Sequence, residues 1–121
     1  MSRSIILAAA SAALVALAAG STAGAQPGAQ AARTCTPPKY PGQGYFTSLH
    51  VSHVSCATGR KVTLAHYRCR TRHGRKGKCG SVLGYRCTEV RPARSPIEYV
   101  ARVTCKRGTK KVVYTYSQSL D

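Results

Sequence analysis

Cationic side chains are concentrated in one interval, residues 60–78, which holds eight of the 19 lysine and arginine residues. Its second half is a glycine-rich loop between Cys69 and Cys79. Main-chain N–H groups and guanidinium groups of such a loop can surround a phosphate or sulfate. The loop lacks aromatic residues on which bases could stack, so sequence-specific nucleic-acid reading is not indicated. The alternative is solvated surface charge without a dedicated partner. The predicted anion-binding residues are Arg60, Lys61, Arg68, Arg70, Arg72, Arg75, Lys76 and Lys78.

A basic secreted ribonuclease is an alternative interpretation, because that chemistry needs a general acid, a general base and cations for the phosphate. We expect Glu98 on the outer face of a strand, with no histidine beside it. The chain has only three acidic residues, so paired-carboxylate sites and acidic metal sites have little to be built from. No motif of a serine, cysteine or zinc hydrolase occurs. We therefore predict a non-enzymatic protein without a cofactor. The residues available to a ribonuclease are His50, His53, His66 and Glu98.

The segment Arg91–Pro96 is a second basic feature, stiffened by two prolines. It loosely resembles the extended reactive loops of secreted protease inhibitors, with Arg94 as the residue that a trypsin-like pocket would accept. A secreted protease is therefore an alternative partner. An ordinary connection between two strands is the simpler interpretation, because prolines are common in such loops and no disulfide-forming residue flanks this one closely.

The first 25 residues have the pattern of a secretory signal peptide. Arg3 precedes an apolar run, Ile5–Ala19, and an A-x-A cleavage site follows at Ala23–Ala25. The run is shorter than the roughly 20 residues that span a bilayer. Cleavage near Ala25 removes one cation and no acid, which leaves a net charge of +15 on 96 residues. Since this excess is more than solubility requires, we predict a secreted monomer that adsorbs to anionic polymers, namely cell-envelope material, nucleic acid or lipid headgroups.

The elements that must position these residues follow from hydrophobic periodicity. We expect an irregular arm over residues 26–44 and one folded domain over residues 45–121. Alternation predicts a strand over residues 45–54, and Ser55 is a suitable N-cap for a helix over residues 56–69. Three further alternating segments predict the remaining strands. The order β-α-β-β-β indicates an α+β domain in which one helix covers a small, mostly antiparallel sheet.

A hairpin between the last two strands is indicated by Gly108, which suits the positive φ of a two-residue turn. This turn would place Val103 beside Val112 and Tyr99 beside Tyr116. With residues 91–96 as a long loop, matching the apolar faces then places Cys87 near Tyr99. One face of the preceding strand would hold Leu83 with Cys87, and Ile97 would share the face of Tyr99.

All six cysteines follow the predicted signal peptide, so a disulfide framework is expected. No C-x-x-C pair of the kind that zinc sites use occurs, and no metal site is predicted. The hairpin register would leave Cys87 roughly 20 Å from Cys105, too far for a disulfide. The favoured pair is instead Cys56 with Cys87. The other two bridges, whose order stays open, are expected among Cys35, Cys69, Cys79 and Cys105.

Three runs of sequence carry a resemblance to a known group: HVSHVSCATGRKV, VLGYRC and VTCKRGTKKVVYTY. In these features the chain resembles small secreted cysteine-containing proteins of actinobacteria. The resemblance spans about Leu49 to Tyr116. It implies the same architecture and an extracellular location. The group has no assigned activity, so the resemblance implies no site residues.

Overall fold

The computed structural model describes residues 32–121, and the predicted signal peptide lies outside the described residues. In chain order the elements are β1 (Arg33–Cys35), β2 (Gly44–Ser52), α1 (Cys56–Thr71), β3 (Ser81–Val82), β4 (Tyr85–Arg94), β5 (Glu98–Arg107) and β6 (Lys110–Ser119). The helix packs on a six-stranded antiparallel sheet with strand order β1-β2-β6-β5-β4-β3, and three disulfides link the elements. The predicted α+β class, with one helix on a small antiparallel sheet, is confirmed.

Two short strands were not expected. β1 lies within the predicted irregular arm and pairs with β2, with Cys35 opposite Leu49. β3 pairs with the start of β4 through a tight turn in which Leu83 has a positive φ of 50°. The prediction that Leu83 packs on the core face is wrong, since this turn leaves its side chain 59% exposed.

Helix α1 begins at the predicted N-cap, where the Ser55 Oγ accepts a hydrogen bond of 3.1 Å from the Thr58 N–H. Its buried residues include Gly59, Val62, His66 and Arg70, which share one face at helical spacing. A Cβ atom at Gly59 would lie 2.4 Å from a methyl group of Val51. The glycine that weakens the helix by propensity therefore permits its close approach to the sheet.

The β5–β6 hairpin differs from its prediction by two residues. Arg107 pairs with Lys110, so the turn residues are Gly108 and Thr109, and Val103 lies opposite Tyr114 rather than Val112. Because the shift is an even number of residues, each side chain stays on its predicted face. The core face of this hairpin accordingly buries Tyr99, Ala101, Val103, Cys105, Val112, Tyr114 and Tyr116.

The segment Arg91–Pro96 is not a long loop. β4 continues to Arg94, with a register shift between Val90 and Ala93, and Arg94 pairs with Tyr99. A tight turn follows, in which the Ser95 Oγ accepts a hydrogen bond of 3.1 Å from the Glu98 N–H. Ile97 lies in this turn and is 57% exposed, so its predicted burial is also wrong.

The observed disulfides are Cys35–Cys56, Cys69–Cys79 and Cys87–Cys105, with Cα–Cα distances of 5.6, 5.7 and 4.0 Å. The favoured pair Cys56–Cys87 is therefore wrong, and the excluded pair Cys87–Cys105 is present. The cause is the assumed long loop, because a tight turn at Ser95 brings Cys87 directly opposite Cys105. β1 likewise carries Cys35 to the start of α1, where Cys56 lies.

Candidate anion-binding site

The loop after α1 is held in a fixed path by its own turns and by the Cys69–Cys79 disulfide. We call residues 72–78 the basic loop. The His73 N–H donates to the Arg70 carbonyl at 3.0 Å, and the Gly77 N–H donates to the Gly74 carbonyl at 2.9 Å. A Cβ atom at Gly77 would lie 2.1 Å from the Arg70 carbonyl oxygen, so this close approach requires glycine.

An ion pair on the inner face of β4 fastens the basic loop to the sheet. The Arg91 guanidinium donates to the carbonyl groups of Lys76 and Gly77, each at 3.0 Å. The Glu89 carboxylate accepts from the same guanidinium at 2.7 and 2.8 Å. The two side chains are only 9% and 5% exposed, and the Arg91 guanidinium lies 4.3 Å from the centre of the Tyr99 ring. Charge-assisted bonds in such a shielded position are strong, so the pair holds the loop backbone in place.

The Tyr99 hydroxyl adds a further contact, since it donates to the Arg75 carbonyl at 2.6 Å. The Arg75 side chain in turn donates to the main-chain oxygen of Asp121. The basic loop is thus bonded to the sheet at three successive carbonyl groups, those of Arg75, Lys76 and Gly77.

The side chains of the basic loop, in contrast to its backbone, face solvent. Arg72, Lys76 and Lys78 are exposed, and none of their charged groups forms a hydrogen bond or ion pair within residues 32–121. A rigid backbone with unpaired cations can bind anions without first ordering the loop.

Other predicted members of the site lie on the helix. Lys61 and Arg68 are exposed on α1, two turns apart on one face. Arg60 is partly buried, and its guanidinium lies 3.5 Å from the Thr36 carbonyl oxygen. The structure therefore separates helix cations from loop cations, as the predicted helix over residues 56–69 implied for these three residues.

Arg70 is fully buried and is not available to an external anion. Its guanidinium donates to the hydroxyl oxygens of Tyr40 at 2.5 Å and Tyr99 at 3.3 Å. It also lies 3.9 Å from the centre of the Tyr116 ring, a favourable cation–π distance. The placement of Arg70 in the loop was wrong because α1 extends to Thr71, so Arg70 follows His66 by four residues on the buried face.

A pocket lies beside the basic loop, where the loop meets the end of β4. It joins two features that the sequence showed separately, the basic interval and the segment Arg91–Pro96. Lys76 from the basic loop and Arg94 from β4 are both exposed there, and the Ser95 hydroxyl adds a polar group. The lining residues are Lys76, Arg91, Arg94, Ser95, Tyr99 and Leu120.

The histidine and glutamate residues considered for a ribonuclease are dispersed. His66 is fully buried: its Nε2 donates to the Cys79 carbonyl at 3.1 Å, so its Nδ1 accepts from the Tyr114 hydroxyl. Burial lowers the pKa of His66 below its usual 6.5, and the bond to Cys79 opposes this shift. His50 lies opposite Val113, whereas Glu98 lies opposite Ser119, about 20 Å further along β6.

No family model, curated protein or solved structure matches the chain. The resemblance to small actinobacterial secreted proteins therefore stays a prediction. Within residues 32–121 no helix is long and apolar enough to cross a membrane, and no three His, Cys, Asp or Glu residues group to hold a metal ion. The fold and the site define a small disulfide-stapled α+β protein with a fixed cationic loop.

Proposed function

We propose that this is a secreted, non-enzymatic cationic protein that adsorbs to anionic polymers through its basic loop. One observation supports this most directly. The Cys69–Cys79 disulfide and the Glu89–Arg91 pair fix the loop backbone, while the side chains of Arg72, Lys76 and Lys78 stay exposed and have no acidic partner in the part of the chain that the structure describes. Solvated charge serving solubility alone would need no such fixed backbone.

The chemistry of the loop favours polymers that carry phosphate or sulfate groups. Arginine forms bidentate contacts with these anions, and repeated anionic groups allow several cations to bind at once. Three disulfides are consistent with an oxidising, extracellular compartment, as the predicted cleavage near Ala25 also indicates. The available polymers there are envelope polysaccharides or teichoic acids, released nucleic acid and lipid headgroups.

Salt-dependent binding to immobilised heparin tests the proposal. The variant Arg72→Gln/Lys76→Gln/Lys78→Gln is compared with a matched variant, Arg33→Gln/Lys39→Gln/Lys110→Gln, which loses the same charge at exposed positions outside the predicted site. We expect the loop variant to lower the slope of log affinity against log salt by about 2, because each phosphate- or sulfate-bound cation contributes roughly 0.7. The matched variant should change the slope much less.

The two variants also provide the outcome that contradicts the proposal. Equal loss of affinity in both would show that net charge alone determines retention and that the basic loop is no special surface. The same pair, measured against single-stranded DNA and against vesicles with anionic headgroups, ranks the candidate polymers. Circular dichroism and thermal unfolding establish that each variant is folded.

A further inference from the structure

A row of cations crosses the outer face of the sheet, away from α1. Arg86 on β4 lies directly opposite Lys106 on β5, and Lys106 lies directly opposite Lys111 on β6. All three side chains are exposed. We call Arg86, Lys106 and Lys111 the outer row. Paired residues on neighbouring antiparallel strands have Cα atoms roughly 4.5–5.5 Å apart, so the three side chains start from adjacent points of the sheet.

This arrangement is unfavourable for the isolated protein. Like charges directly opposite one another on neighbouring strands repel, and the outer row contains two such pairs in succession. Within residues 32–121, no ion pair or side-chain hydrogen bond engages any of the three cations. The acid on this face, Glu98, lies eight residues from Lys106 on β5, about 26 Å away, where it accepts a hydrogen bond from the Ser117 hydroxyl. An external anion would relieve this repulsion.

The surface around the outer row forms a groove. The three cations line a groove together with Thr88 and Thr104, which lie opposite each other one step further along β4 and β5. Their hydroxyl groups supply neutral donors beside the charged ones. A linear polymer with regularly spaced anionic groups can follow this groove across three strands.

The outer row and the basic loop lie on opposite faces of the sheet. Side chains alternate along β4, so Arg86 points away from the face that carries Cys87, Glu89 and Arg91. Arg91 is the residue that holds the basic loop. A single polymer strand bound in the groove therefore leaves the basic loop free on the other side.

We propose that the outer row is a second anion-binding site, for a linear sulfated or phosphorylated polymer, and that one protein molecule bridges two polymer chains. The bridging rests on the proposed function of the basic loop, which supplies the first site. The outer row shares no residue with the basic loop and lies on the other face of the sheet. The protein would thus cross-link anionic polymers as well as adsorb to them.

Calorimetric titration with a heparin tetrasaccharide and with inorganic tripolyphosphate tests the second site, because each probe is too short to reach both faces. We expect two bound probe molecules per protein in the wild type. The variant Arg86→Gln/Lys106→Gln/Lys111→Gln should bind one, as should the loop variant Arg72→Gln/Lys76→Gln/Lys78→Gln. The matched variant Arg33→Gln/Lys39→Gln/Lys110→Gln should still bind two. Comparison of the two probes shows whether the site takes sulfate or phosphate esters.

Light scattering with long heparin then tests the bridging. We expect scattering to rise on mixing, to fall in excess polymer, and to be lost in the outer-row variant, although the basic loop still holds that variant on the heparin column. An outer-row variant that still binds two probe molecules, or that scatters as strongly as the matched variant, would overturn the inference. Unchanged retention of the loop variant would instead refute the proposed function, so the two failures are distinguishable.

Discussion

The two faces of β4 both carry charged residues, but these residues differ in burial and in their partners. On the inner face, Glu89 and Arg91 are almost fully buried, and their charged groups have hydrogen-bond partners. On the outer face, Arg86 is exposed opposite the like charge of Lys106. The cations that make up the net positive charge of this protein therefore differ in their effect on stability. Inner cations stabilise the fold, whereas outer cations oppose it and are free for an external partner.

The same division applies within the basic interval. Arg68 and Arg70 are two residues apart in the last turn of α1, yet Arg68 is exposed and Arg70 is fully buried. Arg70 is surrounded by tyrosine rings and hydroxyl groups, and no carboxylate among residues 32–121 pairs with it. Burial raises the pKa of Tyr40 to about 12, although Arg70 opposes that shift. Tyr40 therefore stays a neutral acceptor for Arg70 at neutral pH.

Removal of the buried Arg70 side chain should have the largest effect on the stability of the protein. Arg70→Ala leaves a cavity under α1. It also removes the hydrogen bonds that the guanidinium donates to the hydroxyl oxygens of Tyr40 and Tyr99. We expect a loss of about 3–5 kcal/mol in the free energy of unfolding, measured by urea denaturation. The control Arg68→Ala also removes a cation from the last turn and should cost no more than about 0.5 kcal/mol. Similar losses of unfolding free energy in both variants would refute the assignment of Arg70 as a buried, stabilising cation and Arg68 as an exposed one.

His66 gives a pH-dependent test of the same inner face. Its lowered pKa means that the unfolded chain binds a proton more readily than the folded protein does. Stability should therefore fall as the pH drops below about 6.5, with a slope of up to about 1.4 kcal/mol per pH unit. Protonation would also place a second donor against the Tyr114 hydroxyl, which already donates to Nδ1.

Thermal unfolding measured between pH 7.5 and 5.5 checks this expectation, above the range in which most carboxyl groups titrate. The variant His66→Gln cannot take up the proton and should lose most of the slope in this window. A wild-type melting temperature that stays constant, or a slope that the variant retains in full, would show that His66 does not control stability there.

Much of the fold was predictable because periodicity and turn chemistry are local. Ser55 as the N-cap, the helix after it and the core faces of β5 and β6 all follow from residues near in sequence. The β4–β5 register was not predictable in the same way. Pro92 and Pro96 indicated a long loop, whereas the strand accommodates Pro92 at its register shift and the chain turns at Ser95. Because of that single difference, Cys87 was predicted to pair with Cys56, whereas it forms a disulfide with Cys105.

The candidate site was predictable as a set of charges but not as a surface. No local pattern distinguishes Arg70 from Arg72, because burial depends on how far α1 continues and which face meets the sheet. The outer row was missed because its members belong to three strands and lie opposite one another only in the observed register. Alternation in β4 and β5 could have placed Arg86 and Lys106 on the outer face, but a register error of several residues kept them apart.

Neutralisation of Lys106 on the outer face should have the smallest effect on stability. In contrast to the removal of Arg70, it should stabilise the protein. Lys106 lies between Arg86 and Lys111, so Lys106→Gln removes both repulsive pairs and should raise the free energy of unfolding by about 0.5 kcal/mol. Arg102→Gln is the control on the same strand and face, since Arg102 lies opposite Val90 and Thr115 and should give almost no change. High salt should erase the gain, because it screens exposed charges. A destabilised Lys106→Gln, or equal effects in both variants, would mean that the outer row carries no repulsion for a bound anion to relieve.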